Sequence, residues 1–387
     1  MRIALINDTS TSRNQGCQVT MHLLNRELER LFPDALIERV YLDSINYPFR
    51  RREARRVLAP TPEDLPRCIK YIDRYRPPPF DEVLRCLSEA DVVVINGEGS
   101  MIEAKSHTRM VYTIIELASR RGIPVHLINF TAHITTGSSE DWASYSYGQC
   151  AAVCVREPLS YDVVRRFEPR VKLFPDLALG LDLDTSEMFD PCLLIGSGSA
   201  ATRMERDPER THRLRIAYND LCVRLASHVP VRLMGWHRDE WLREIVGTGI
   251  TYHDIDFVRY SSFCKSALLN FTGRHHGCVM SASVGCPFLT TTANCYKNFG
   301  DAELYGSAGP VMEMERLDVE FVESTVLSAL DRANELRAKA ESRRDQLRPF
   351  SFGAIRNIGD SQTDLVGAGL VSLDAEMPIP YIQHKAA

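Results

Sequence analysis

No stretch of the 387 residues approaches the roughly 20 consecutive apolar positions that a membrane-spanning helix needs. The opening segment MRIALIND has neither the long apolar core nor the small-residue cleavage site of a secretory signal. An integral membrane segment and export are therefore not expected, and the chain reads as cytoplasmic. Positive charge is not in excess either. The formal net charge of −5 weighs against nucleic acid as the main partner, and leaves room only for a local cationic pocket. No repeat at fixed period and no low-complexity tract is present, which excludes solenoids and extended linkers.

Cysteine, by contrast, is plentiful. Eleven cysteines could suggest a disulfide set by count alone, but Cys154, Cys192, Cys222, Cys278 and Cys286 sit in apolar surroundings, and a chain of this size needs no staples. Reduced, buried thiols are expected. Cys150 and Cys154 are spaced CxxxC without the second pair that a structural zinc site uses, so no metal is expected. At 44% hydrophobic and 25% charged, the composition is that of an ordinary globular protein. The length exceeds what one hydrophobic core usually supports, so two domains are expected.

Short apolar runs alternate with helical patterns along the chain. The spacing predicts strands over 2–7, 35–41, 91–96, 124–129, 151–155 and 171–174, with helices over 15–31, 80–88, 108–121 and 159–167. Residues 50–79 read as a charged, proline-punctuated excursion with helical pieces. The polar stretch 182–190 is the best candidate linker. A second series follows, with strands over 192–195, 231–234 and 287–290 and a strand from 267 that breaks at Gly273. Its helices are predicted over 209–227, 240–246, 256–265, 278–284 and 320–347, before a loop-like tail over 351–387. Strands separated by helices at this spacing indicate α/β architecture. Two doubly wound, Rossmann-like domains facing across a cleft are expected, over 1–183 and 191–348. The tail 349–387 is expected to pack back on the N-terminal domain.

Ligands of such sheets bind at the carboxyl ends of the strands, and the notable residues cluster there. Three glycine-bearing turns are predicted after strands: Asn14-Gln15-Gly16, Asn96-Gly97-Glu98-Gly99-Ser100 and Gly196-Ser197-Gly198-Ser199. Glycine lets the backbone approach a ligand, and the amides opening the next helix attract anions. None is a P-loop or a complete dinucleotide fingerprint, and each could equally be a plain turn. Glu98, a carboxylate between two glycines at a strand end, serves no core.

Arg156 also ends a strand, where its planar fork could clamp a phosphate or carboxylate, or pair with Glu157 or Asp176. Asp176 could orient a catalytic group or merely cap the next helix. Arg203 could close over a ligand or belong to a solvated face with Arg206 and Arg210. Trp236 and His237 suit sugar stacking or simple packing, and His126 and His133 are weaker candidates. The densest chemistry lies in Arg274-His275-His276, with Lys297 after the following strand. Fixed cations beside titratable imidazoles suit an anionic substrate whose reaction moves a proton. Adjacent residues in a turn point apart, so one histidine is expected to face the cleft.

In this order the motifs resemble the polysaccharide pyruvyl transferase family: Asn14-Gln15-Gly16, Asn96-Gly97-Glu98-Gly99, Arg156-Glu157-Pro158-Leu159-Ser160, Pro175-Asp176, Arg274-His275-His276, Gly285-Cys286-Pro287 and Lys297. Glu98 stands where many members continue with glycine, and the chain beyond Pro349 matches no feature of the family. The resemblance implies a GT-B-like fold, with the acceptor on the side of the first domain. It implies transfer of a pyruvyl (carboxyethylidene) group from phosphoenolpyruvate to sugar hydroxyls of a cell-surface polysaccharide or its lipid-linked precursor. Phosphoenolpyruvate is then donor substrate rather than cofactor. The saccharide acceptor would bring the protein to the inner face of the membrane, and a homo-oligomer is compatible with this reading. His276 is expected as acid/base, matching the family's Arg-x-His. Arg274, Arg156 and Lys297 would clamp the anion, and Glu98 or Asp176 would orient a hydroxyl or the imidazole. Asn14, Gly16, Gly97, Gly99, Ser197, His275 and Arg203 are the further substrate-binding candidates. No metal is needed, because guanidinium and ammonium groups carry the charge. The alternative is a glycosyltransferase of similar architecture using a nucleotide sugar. A non-catalytic sugar- or phosphate-binding protein is a third reading, against which the adjacent imidazoles argue.

Overall fold

Runs of valine, isoleucine and leucine that are apolar on both faces form central parallel strands, because helices cover both sides of such sheets. The computed structural model describes residues 1–42, 57–182, 189–198, 207–236, 240–293, 295–314 and 317–371. The chain divides into two units: Met1–Ser12, Met21–Pro175 and Phe352–Ala387 form one, and Arg13–Thr20 and Asp176–Ser351 the other. Residues 13–20 and 176–183, which the sequence pattern places in the first domain, thus group with the second. Membership of a unit depends on which residues touch, which sequence pattern does not record.

In the first unit, β1 (Arg2–Ile6), β2 (Leu36–Val40), β3 (Val92–Ile102), β4 (Val125–His133), β5 (Ala152–Val155) and β6 (Lys172–Leu173) form one sheet in the order β2-β1-β3-β4-β5-β6. All its pairings are parallel. In the second, β7 (Leu193–Gly198), β8 (Val231–Gly235), β9 (Ile250–Asp254), β10 (Leu269–Gly273) and β11 (Phe288–Thr290) form a parallel sheet in the order β11-β10-β7-β8-β9. Each order reverses beside its first strand, between β1 and β3 and between β7 and β10. A reversal of this kind opens a crevice at the carboxyl ends of the two strands.

The first helix, Gln15–Leu31, spans the residues that the apolar spacing predicts and buries Val19, Leu23, Leu24 and Leu28. Several expectations change. The strand expected to stop at Asn96 continues through the glycine-rich segment to Ile102, because it goes on pairing with β4 after a register shift between Glu98 and Met101. The helix expected over 320–347 is two helices, Val319–Asp331 and Ala333–Leu347, divided at Arg332, whose ψ of 16° departs from helical geometry. No glycine or proline in that stretch marks the break. Residues 240–244 form a 3₁₀ turn rather than an α-helix. Strand β9 and the helices Gly137–Ser146 and Lys297–Tyr305 were not expected: β9 is a half-exposed edge strand with little apolar alternation, and the helices are short.

Residues 357–371 of the tail are turn and loop, as their composition predicts, and this loop is tied to the first unit. Lys172 Nζ donates to Asn357 Oδ1 (2.7 Å), Ser361 Oγ (3.0 Å) and the Gln362 carbonyl (2.7 Å), and the Leu173 amide donates to Asp364 Oδ2 (2.7 Å). The greater part of the expected linker (183–188), residues 43–56 of the excursion, and 372–387 of the tail lie outside the described residues. All eleven cysteines carry free thiols, ten of them buried. Burial pushes Cys150 and Cys154 up to about 12, so they are inert at neutral pH.

His126 gives the first unit an acid-sensitive point. It sits in β4 with 7% exposure, its Nδ1 has no hydrogen-bond partner, and burial pushes its pKa down to about 4. The unfolded chain therefore binds more protons than the folded one between about pH 6.5 and 4, and stability falls as pH falls through that window. A loss of roughly 3 kcal/mol is expected from this residue. Denaturant melts at pH 7 and pH 4.5 check it: His126→Gln should show a smaller drop than the parent chain.

Candidate active site

At the crevice of the second unit, β7 and β10 approach through glycine. A Cβ added at Gly273 would stand 2.6 Å from the Gly198 Cα, so neither position tolerates a side chain. Asn298, fully buried, donates from Nδ2 to the carbonyls of Gly273 (3.1 Å) and Thr291 (2.8 Å) and to Thr290 Oγ1 (3.1 Å). It thereby ties the ends of β10 and β11 together. Arg274 then leaves the strand in extended conformation (φ −106°, ψ 130°), and the helix His275–Ser283 begins. This start is three residues earlier than the sequence pattern suggests. Both histidines therefore stand in the first helical turn rather than in a turn before it.

Their environments differ. His275, with its side chain 2% exposed, has Nδ1 2.7 Å from Asp301 Oδ2 and Nε2 3.0 Å from Asp176 Oδ2. Both carboxylates are fully buried. The sequence reading placed His275 among the substrate-binding groups. Both of its ring nitrogens face buried carboxylates. His276 is the more accessible, with its side chain 11% exposed. Its Nε2 lies 3.2 Å from Thr20 Oγ1 and 3.8 Å from Asp176 Oδ2. The two rings do not diverge, as adjacent turn residues were expected to. They meet edge to face with centroids 4.8 Å apart, because the helical turn directs both toward Asp176.

Asp176 serves two sets of partners with its two oxygens. Oδ1 caps the following 3₁₀ turn by accepting from the Ala178 amide (2.8 Å), while Oδ2 faces the imidazoles. Asp301 was missed because the motif reading stopped at Lys297. The available signal was an aspartate at the next-turn position (i+4) on the helix that Lys297 opens. Thr20 was missed too, one turn beyond the Asn14-Gln15-Gly16 motif. Lys297 is half-buried at the start of its helix. Arg274 is half-buried, its guanidinium carbon 6.0 Å from the centre of the Trp236 ring. Trp236 is buried, packing edge-on against Tyr260, which decides for packing over sugar stacking. Arg203 and His237 lie outside the described residues. Ser197 is fully buried within β7, not in a turn beyond it.

Asn14 and Gly16 have structural duties here. Asn14 Oδ1 accepts from the Gly16 amide (3.1 Å) at the start of the helix. A Cβ at position 16 would stand 2.0 Å from His276 Nδ1, so the glycine makes room for the imidazole. Gly16→Ala adds a good helix former but displaces that ring. The expectation is a fall in kcat of about a hundredfold with a nearly unchanged melting temperature. Parallel kinetics and thermal melts decide it, and unaltered kcat would show that the ring's position is immaterial.

The first unit has its own polar cluster at the reversal between β1 and β3. Glu98 is 5% exposed and holds a positive φ of 43°, as does Asn7 at 64°. Glu98 Oε1 accepts from Thr9 Oγ1 (2.5 Å) and Asn96 Nδ2 (2.9 Å), while Asn7 Nδ2 donates to the Asn96 carbonyl (2.6 Å). Non-glycine residues at positive φ are costly, and they persist where the surroundings enforce them. Gly97 has a packing role of its own. A Cβ there would meet the Phe130 Cβ at 2.6 Å, so the glycine serves strand packing. Gly99 is half-buried within the same strand. Arg156 is 1% exposed, and its Nε donates to Thr131 Oγ1 (3.1 Å). The neighbouring Glu157 caps its own helix by accepting from the Ser160 amide (3.0 Å).

Among the described residues, no helix is long and apolar enough to cross a membrane. No curated protein matches the chain. Solved structures similar over most of the chain include a Listeria monocytogenes protein described as a UDP-N-acetylglucosamine 2-epimerase (TM-score 0.60, 12% identity, 94% of this chain and 98% of that one). Others are the S. aureus MnaA–UDP structure (0.55, 11%, 94% and 99%) and the spinosyn rhamnosyltransferase SpnG with thymidine diphosphate (0.53, 11%, 93% and 100%). At such identities the likeness establishes the fold: Rossmann-like α/β units of the GT-B kind. The family described as polysaccharide pyruvyl transferase matches residues 14–293, which contain Gly16, Asp176 and the Arg274–His276 turn. The chain belongs to the polysaccharide pyruvyl transferase family.

Proposed function

We propose that the chain transfers the carboxyethylidene group of phosphoenolpyruvate to two hydroxyls of a sugar in a cell-surface polysaccharide or its lipid-linked precursor. Protonation of the donor's methylene carbon makes an oxocarbenium-like centre. One hydroxyl adds to it, phosphate leaves, and the second hydroxyl closes the ketal. Of the two hydroxyl protons released, one balances the proton gained by the new methyl group and the other leaves on phosphate. The observation that carries this reading is the asymmetry of the two histidines. His275 is fixed between buried carboxylates, and His276 stands beside it, accessible and with Arg274 next in sequence. A pre-positioned imidazole serves as acid toward the methylene carbon and as base toward the hydroxyl. Arg274 and Lys297 hold the carboxylate and the leaving phosphate.

The test incubates the full chain with phosphoenolpyruvate and a panel of saccharide acceptors. Phosphate release together with a saccharide mass gain matching the ketal is the expected result. Turnover of a nucleotide sugar with no use of phosphoenolpyruvate would replace this reading by glycosyl transfer.

A further inference from the structure

Ionised carboxylates only accept hydrogen bonds, and a neutral imidazole has one donor and one acceptor. When His275 donates from Nδ1 to Asp301, a neutral ring turns the lone pair of Nε2 toward Asp176 Oδ2, 3.0 Å away. Either a further proton or a cation has to lie between those atoms. His276 brings its Nε2 to 3.8 Å from the same oxygen, and one ligand atom from each of the three residues falls within 4.8 Å of the others. Around a tetrahedral ion with bonds of about 2.0–2.1 Å, neighbouring ligand atoms stand about 3.3 Å apart. The Asp176 oxygen is thus within about half an ångström of that spacing from both nitrogens.

The surroundings support the same geometry. Asp301 stands behind His275 as a carboxylate stands behind a metal-bound imidazole, fixing its tautomer and orientation. The bond from Ala178 to Oδ1 keeps Oδ2 of Asp176 turned to the rings. Thr20 Oγ1, 3.2 Å from His276 Nε2, offers a further oxygen. Two imidazoles and one carboxylate suit zinc or cobalt rather than magnesium or calcium.

We propose that Asp176, His275 and His276 bind one divalent transition ion of the zinc class, and that the bound ion withdraws His276 from proton transfer. The inhibitory half rests on the acid/base reading of His276; the binding half does not. Coordination occupies the lone pair that would otherwise move the proton, so zinc acts as an inhibitor of transfer.

The experiment titrates the full chain with cobalt(II), which reports its ligands by absorption, and measures stoichiometry by equilibrium dialysis and elemental analysis. One ion per chain is expected, with d–d bands of nitrogen and oxygen coordination and no thiolate charge transfer, and it should survive excess magnesium. His276→Gln, at the accessible edge of the cluster, should abolish binding with circular dichroism unchanged. Asp301→Asn should weaken it about 10- to 100-fold by loosening His275. Absence of stoichiometric binding, binding undiminished in His276→Gln, or thiolate-dominated spectra overturns the site. Zinc should then suppress phosphate release from phosphoenolpyruvate by the parent chain; full turnover with the site occupied overturns the inhibitory role. Stoichiometric binding without phosphoenolpyruvate turnover leaves the metal site standing and removes the proposed function instead.

Discussion

His276→Ala is expected to lower pyruvyl transfer by about 10²- to 10⁴-fold, the usual contribution of a positioned acid/base. The geometry explains why so much should depend on one ring. It stands in the first turn of the helix His275–Ser283, between Thr20 at 3.2 Å and Asp176 at 3.8 Å, with Gly16 leaving the space it fills. Stability should change little, because the ring lies at the accessible edge of the cluster. Arg274→Lys tests the partner role. It keeps the charge but loses the planar fork, so KM for the donor should rise more than kcat falls. Steady-state kinetics with phosphoenolpyruvate as the varied substrate, alongside thermal melts, separate these effects. A His276→Ala chain that turns over at the parent rate would remove the acid/base assignment.

Asp301→Ala should have the largest effect on stability, about 3–5 kcal/mol, concentrated in the second unit. Asp301 is fully buried and accepts at Nδ1 of His275, whose Nε2 faces Asp176. Removing one carboxylate leaves a buried imidazole with an unpaired donor and an altered charge balance. Asp301→Asn should cost less, because an amide oxygen can still accept the Nδ1 proton. Two units with separate cores need not unfold together, so the effect is read best within the second unit. Hydrogen exchange across His275–Ser283 measures the effect locally. Exchange in Asp301→Ala as slow as in the parent chain would contradict the structural importance of this carboxylate.

The same cluster shows where sequence reasoning stops. Arg274-His275-His276 announces itself as chemistry through adjacency and through its place after an apolar strand. The division of labour between the histidines is not legible there. It arises from Asp301, 26 residues later, and Asp176, 99 residues earlier. The glycines make the point in reverse. Gly16 and Gly97 look alike as turn glycines, yet one accommodates the His276 ring and the other accommodates Phe130. Regular elements were easier to read where burial repeats with the period of the element, as in the helix Gln15–Leu31. A helix break at Arg332 and a strand as polar and half-exposed as β9 carry no such signal, which is why both escaped.

By itself the sequence determined the alternation of strand and helix, the two-domain α/β class and the order of the family motifs. These are encoded by side-chain periodicity and by residues adjacent along the chain. Only the tertiary structure decided strand order, the membership of residues 13–20 in the second unit, and which imidazole is fixed between carboxylates. Those outcomes depend on distant segments meeting, and local pattern records which face of an element is buried but not what buries it.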